Sequence, residues 1–113
     1  MFKLSITLLG LMLLSTPALS QKYFGPGDKS CGTWTKDRHG DPAVAGLYDA
    51  WLLGFVSGVN TSETLSLNHP DILKRTDATG IMGWMDNYCA SHPLDSVMST
   101  VIKLIVELKN KAD

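Results

Sequence analysis

Apolar residues fall in four blocks along the chain, set apart by polar and glycine-rich stretches. The first, Ile6 to Leu14, is short, uncharged and preceded by Lys3. The second, Val44 to Val59, spreads Leu47, Tyr48, Trp51, Leu52, Phe55 and Val56 around most of a helical circumference, with Asp49 as its one charge. A helix apolar on nearly all sides belongs in the middle of a fold. The third puts Ile81, Trp84, Met85 and Tyr88 on one helical face, with Cys89 beside it. The fourth, Leu94 to Leu108, keeps an apolar pattern over about four turns. Val101 to Val106 alone could pass for a buried strand, but that length favours a helix.

The boundaries follow from caps and breakers. Asp41-Pro42 pairs a residue that caps free amides with one preorganised for the first helical position, so a helix is predicted from Pro42 to about Val59. Asn60 to Thr76 is polar and contains His69-Pro70, which reads as a loop with one turn of helix at Asp71 to Lys74. Asp77 caps a helix from Ala78 to about Ala90. Ser91-His92-Pro93 breaks the chain, and with Ser91 or His92 as cap the last helix runs from Leu94 to about Lys109. Gln21 to Gly40, with Gly25-Pro26-Gly27, Gly32 and Gly40, reads as an irregular arm. The expected fold is all-α: a small bundle of three main helices with an irregular N-terminal arm, stapled by one disulfide.

Within the second block, Gly46, Ala50, Gly54 and Gly58 recur four apart and make a smooth stripe where another backbone can approach. Tight packing inside the domain is the expectation for it, and a dimer or ligand groove the alternative.

Lys3, the apolar run and Ala18-Leu19-Ser20 together form a secretory signal with cleavage after Ser20. The run is too short to span a bilayer, and Pro17 interrupts it. No cysteine stands at the cleavage site to accept a lipid. Residues 1–20 are thus a signal peptide and 21–113 a single helical domain, periplasmic or secreted. Without Lys3 the chain has nine basic against eleven acidic residues, a balance of minus two. That near neutrality argues against nucleic acid as a partner, which calls for a basic face, and no polybasic tract holds the protein on an anionic membrane. Stable membrane insertion after cleavage is not expected.

In an exported protein the even pair Cys31 and Cys89 is expected to form a disulfide. Closing a loop of about 59 residues stabilises the fold by roughly 4 kcal/mol in the chain-entropy treatment. The spacing is unlike that of a Cys-x-x-Cys exchange catalyst, so the bond is a staple.

No catalytic set, cofactor or metal site emerges, and the chain is read as a non-enzyme. Ser57 in Gly54-Phe55-Val56-Ser57-Gly58 is one place out of the nucleophile-elbow pattern and lies in a helix expected to be buried. His39, His69 and His92 lack helical ligand spacing, and Asp37, His39 and Asp41 read as solvated polar arm. Asn60-Thr61-Ser62 matches the glycosylation acceptor, which matters only in a eukaryotic secretory pathway. Of the tryptophans, Trp51 and Trp84 are expected on core faces, and Trp34 over the disulfide.

An early cysteine in an exported helical protein, a tryptophan-containing central helix, and Asn87-Tyr88-Cys89-Ala90-Ser91-His92-Pro93 before the last helix give a chain that resembles the HdeA/HdeB group. These are periplasmic acid-stress proteins of Gram-negative bacteria. Cys31-Gly32-Thr33-Trp34 and Trp84 to Cys89 are also similar to other exported bacterial proteins. The Tai-type immunity proteins, small disulfide-bonded periplasmic proteins that neutralise type VI secretion effectors, share the same layout. The first resemblance implies a holdase that loosens in acid and keeps protein clients soluble, with Trp51 and Phe55 in its binding surface. The second implies an inhibitor of one protein effector. A homodimer is compatible with either. The chain departs from the acid chaperones in carrying a single charged residue, Asp49, between Pro42 and Asn60.

Overall fold

The computed structural model describes residues 21–113. The expected export signal lies outside the described residues. A single 3-10 turn, Pro26–Asp28, leads into α1 (Cys31–Arg38), α2 (Pro42–Leu67), α3 (Ala78–Ser91) and α4 (Val97–Ala112). The all-α class and the staple are as expected, and among the described residues there is no strand, only an isolated bridge between Ser30 and Ser96.

The expected arm holds a fourth helix. Ser30 caps α1 by accepting from the Thr33 amide at 3.1 Å, a capping pattern that the surrounding glycines mask in the sequence. Cys31 and Trp34, three residues apart, share one face of α1 and are fully buried. The segment before α1 pairs with the α3–α4 loop: the Cys31 amide donates to the Asp95 carbonyl at 2.7 Å, and the Val97 amide to the Lys29 carbonyl at 2.9 Å. Gly32 suits this close approach: a Cβ there would lie 3.3 Å from the Pro93 carbonyl oxygen, so a larger residue would require the loop to give by a few tenths of an ångström.

Helix α2 begins as expected, with the Asp41 carboxylate accepting from the Ala43 amide at 2.8 Å, but continues through the expected loop to Leu67. Thr61, Ser62 and Thr64 are polar enough for an exposed helical end, and Asn68 stops it in the left-handed conformation at φ 52°. Asn60 closes the following turn, donating to Asp71 Oδ1 at 2.9 Å and accepting from the Ile72 amide at 3.0 Å. Helix α3 is capped as expected by Asp77 on the Gly80 amide at 2.8 Å.

Helix α4 starts later than Leu94. Its cap is Ser96, which accepts from the Ser99 amide at 3.1 Å, and not Ser91 or His92. Leu94, expected in that helix, lies in the loop at 95% exposure. Asp95 is held away from the helix start by the Tyr88 hydroxyl, which donates to it at 2.6 Å.

Cys31 and Cys89 form the disulfide, with their Cα atoms 4.6 Å apart. Around it lie Trp34, Met85, Val97, Val101 and Leu104, joined from α2 by Tyr48, Leu52 and Val56, and the same core continues through Ile72, Ile81, Ile105, Leu108 and Ala112. Thr100 is the one buried polar residue among the described residues, and its hydroxyl donates to the Ser96 carbonyl at 2.9 Å. The core therefore centres on α1, α3 and α4. Helix α2, expected in the middle, lies along its side and packs chiefly on α1.

Candidate binding surface

The sequence of α2 sets its two faces. Tyr48, Leu52 and Val56 recur every four residues and point inward. On the opposite side lie Ala43, Gly46, Leu47, Ala50, Gly54, Ser57, Gly58, Thr61 and Leu65, all exposed. Leu47 is 69% and Leu65 81% exposed. The glycine stripe, expected to pack inside the domain, belongs to this outer face: a Cβ built on Gly46, Gly54 or Gly58 would meet nothing within 4 Å. Ser57, expected in a buried helix, is likewise exposed. Only 17% of the most apolar 18-residue stretch of α2 is buried, and by length and composition the helix could cross a membrane.

Both charges of α2 are turned away from this face and occupied. Asp49 pairs with Arg38 of α1, and Glu63 takes Lys109 of α4 at 2.5 Å. Tyr48 donates to Asp37 of α1 at 2.6 Å, and burial, aided by that carboxylate, pushes its hydroxyl pKa up to about 12. These contacts tie the inner face to the domain. The outer face carries no charged side chain from Pro42 to Ser62.

Trp51 and Phe55, the residues expected to bind, border this face. Neither is in the core: both are half-buried, their rings 5.5 Å apart between centroids. The Trp51 indole donates to the Phe24 carbonyl at 2.7 Å, and the backbone of Gly25, at φ 98°, crosses so near it that a Cβ would lie 2.4 Å from the ring. Phe55 opens into a shallow groove with Tyr23, Met98 and Ile102. The two aromatics thus join the outer face of α2 to an apolar strip on α4. Trp84, also expected in the core, is half-buried, and the deepest tryptophan is Trp34. What the sequence hid was the placement of α2, because its apolar residues circle the helix and mark no single face.

An ionic cluster sits where α1, α2 and α3 meet. Arg38 donates to both Asp86 oxygens, Nε to Oδ1 at 3.0 Å and Nη2 to Oδ2 at 2.8 Å, while Nη1 bonds Asp49. The Trp34 indole adds a bond to Asp86 Oδ1 at 2.9 Å. Burial alone would push the Asp86 carboxyl up, but the bonds from Arg38 and Trp34 outweigh it and hold the group below the usual carboxylate range. The bond to Asp86 raises the Arg38 guanidinium further. Asp95 is likewise held low, by the Tyr88 hydroxyl and then by Lys103, and Glu107 by Lys111 and then by the Trp84 indole.

Asp37, His39 and Asp41 are separately engaged: Asp37 with Tyr48, His39 with the Thr35 carbonyl and Asp41 with the α2 cap. Among the described residues no three potential ligands gather around one point. No family model, no curated protein and no solved structure matches this chain.

Proposed function

We propose that the protein is an exported, periplasmic binding protein that acts as an acid-stress holdase, engaging unfolding protein clients through the outer face of α2. One observation carries this reading: a long helix whose only charges are neutralised against the domain, leaving an open, uncharged, largely apolar face bordered by Trp51 and Phe55. A contiguous apolar face of this kind marks an interaction surface.

Acid extends the surface. Asp86, Asp95 and Glu107 have carboxyl pKa values lowered by their partners. The stabilisation they give is complete above the ordinary carboxylate pKa of about 4, and it is lost as pH falls through the lowered values. Protonating Asp86 loosens α1 against α3, which the disulfide still keeps joined, and neutralising the carboxylates also breaks the Asp49–Arg38 and Glu63–Lys109 ion pairs that tie α2 to the domain. Helix α2 is then free to swing out and expose Tyr48, Leu52 and Val56. At the same time eleven carboxylates neutralise and the basic residues and histidines remain charged, which keeps the opened chain soluble.

The outer face is open while the fold is intact, which also suits a dedicated protein partner at neutral pH, the immunity or inhibitor reading. Aggregation of unrelated clients, followed by light scattering at pH 2.5 and pH 7, tests the proposal. A holdase suppresses aggregation at the lower pH, and Leu47→Ser/Leu65→Ser reduces the effect. Protection of no client at either pH overturns the holdase reading. Tight binding of a single partner at pH 7 would establish the second. Insertion of α2 into anionic vesicles, read by Trp51 emission, would refute both in favour of a membrane role.

A further inference from the structure

A cavity of about 230 Å³, separate from the outer face of α2, lies between the turn before α3, the first turns of α3 and the end of α4. Its floor is apolar: Ile72, Ile81, Leu104, Leu108 and Ala112 are all buried. Trp84 forms one wall. The only carboxylate in the lining, Glu107, is engaged twice, accepting from the Trp84 indole at 2.7 Å and pairing with Lys111 at 2.8 Å. Two further cations stand at the cavity, Lys74 and Arg75, both exposed and without an ion-pair partner among the described residues. An apolar floor beneath two unneutralised cations is complementary to a molecule that is apolar at one end and anionic at the other.

We propose that this cavity binds a small amphipathic monocarboxylate, its alkyl or aryl body on the Ile72–Leu108 floor and its carboxylate between Lys74 and Arg75. A dry cavity of about 150 Å³ accommodates benzene, so by proportion this one takes a body of about eight or nine carbons. Neutral alcohols of equal length lack the ionic contacts, and amines meet like charge. Two exposed ion pairs add only modestly to apolar burial, so the dissociation constant falls at about 0.1–1 mM.

Amide and indole NMR spectra of the uniformly labelled protein, titrated with octanoate, octan-1-ol and octylamine, test this assignment. Octanoate is expected to shift the Trp84 indole resonance and the amides of Gly80 and Ala112 saturably, leaving the Trp51 indole in place. It should bind about five-fold more tightly than octan-1-ol, and Lys74→Gln/Arg75→Gln should erase that difference without changing the rest of the spectrum. Both substitutions are at exposed positions. The proposal is overturned by the absence of saturable shifts up to about 10 mM, a concentration well above the expected constant. Equal or tighter binding of the alcohol or amine, or shifts centred on Trp51 and Phe55, overturns it equally. None of these outcomes bears on the holdase reading, which client protection decides.

Discussion

Helix α1 has eight residues, and its apolar members Cys31 and Trp34 are both completely buried, whereas α2 has 26, mostly apolar as far as Val59, and buries only Tyr48, Leu52 and Val56. Composition alone would have reversed those roles. A short polar helix became central because the disulfide and the Ser30–Ser96 bridge fix it against α3 and α4 on two sides. A long apolar helix became peripheral because a domain of this size has only one core to share, and α1 occupies the place beside α3. Hydrophobicity sets how much burial is favourable; neighbours set how much is available.

The contrast is tested most severely by truncating the tryptophans. Trp34→Ala should cost about 3–5 kcal/mol, since it opens a core cavity and removes an indole bond from Asp86. Trp51→Ala should cost about 1–2 kcal/mol, because that ring lies at the core's edge. Urea titrations of both variants decide the matter, and equal losses would return α2 to the centre of the fold.

Removing the staple is the next largest effect. Cys31→Ser/Cys89→Ser should lose roughly 2–4 kcal/mol, most of it from the greater freedom of the unfolded chain. Peptide mapping under non-reducing conditions should recover the Cys31–Cys89 link from the wild type.

Asp86→Asn sharpens the comparison at the junction itself. The variant should be less stable by roughly 1–2 kcal/mol at pH 7, as a charged hydrogen-bond acceptor is replaced by a neutral one. Because the wild-type carboxyl is held low, its contribution vanishes below the depressed value, so the two proteins should converge in urea midpoint as pH falls from 5 toward 2. A constant gap over that range would show that the Asp86 carboxyl titrates alike in the folded and unfolded chain, so that its bonds to Arg38 and Trp34 do not favour the charged form.

The smallest effect on stability is expected on the outer face of α2. Leu47→Ser and Leu65→Ser should each change it by no more than about 0.5 kcal/mol, since neither side chain is packed. A loss above about 2 kcal/mol in either would mean that the face is covered in solution, and sedimentation of the wild type would then show whether a second copy covers it.

Local chemistry carried a good deal of this structure. The caps Asp41 and Asp77 are legible because a short carboxylate before a helical run has few other uses, and the cysteine pair is legible because two cysteines leave only one intramolecular pairing. The start of α4 is not legible because Ser91-His92-Pro93 offers a second cap, and only the bridge from Lys29 to Val97 moves the start to Ser96. Helix α1 is not legible because eight residues with two apolar positions give too short a period, and its packing supplies what its propensity lacks.

The sequence by itself determined the helical class, two of the four helix starts among the described residues, the disulfide partners and the near-neutral charge. Each depends on residues close in the chain or on a pair with no competitor. Tertiary structure decided which helix holds the centre, which side of α2 faces solvent, that Arg38 and Asp86 meet across 48 positions, and that a cavity opens between Lys74 and Trp84. These features follow from contacts between segments distant in the chain, where a helix apolar on all sides has several faces of similar burial energy and only its neighbours select among them.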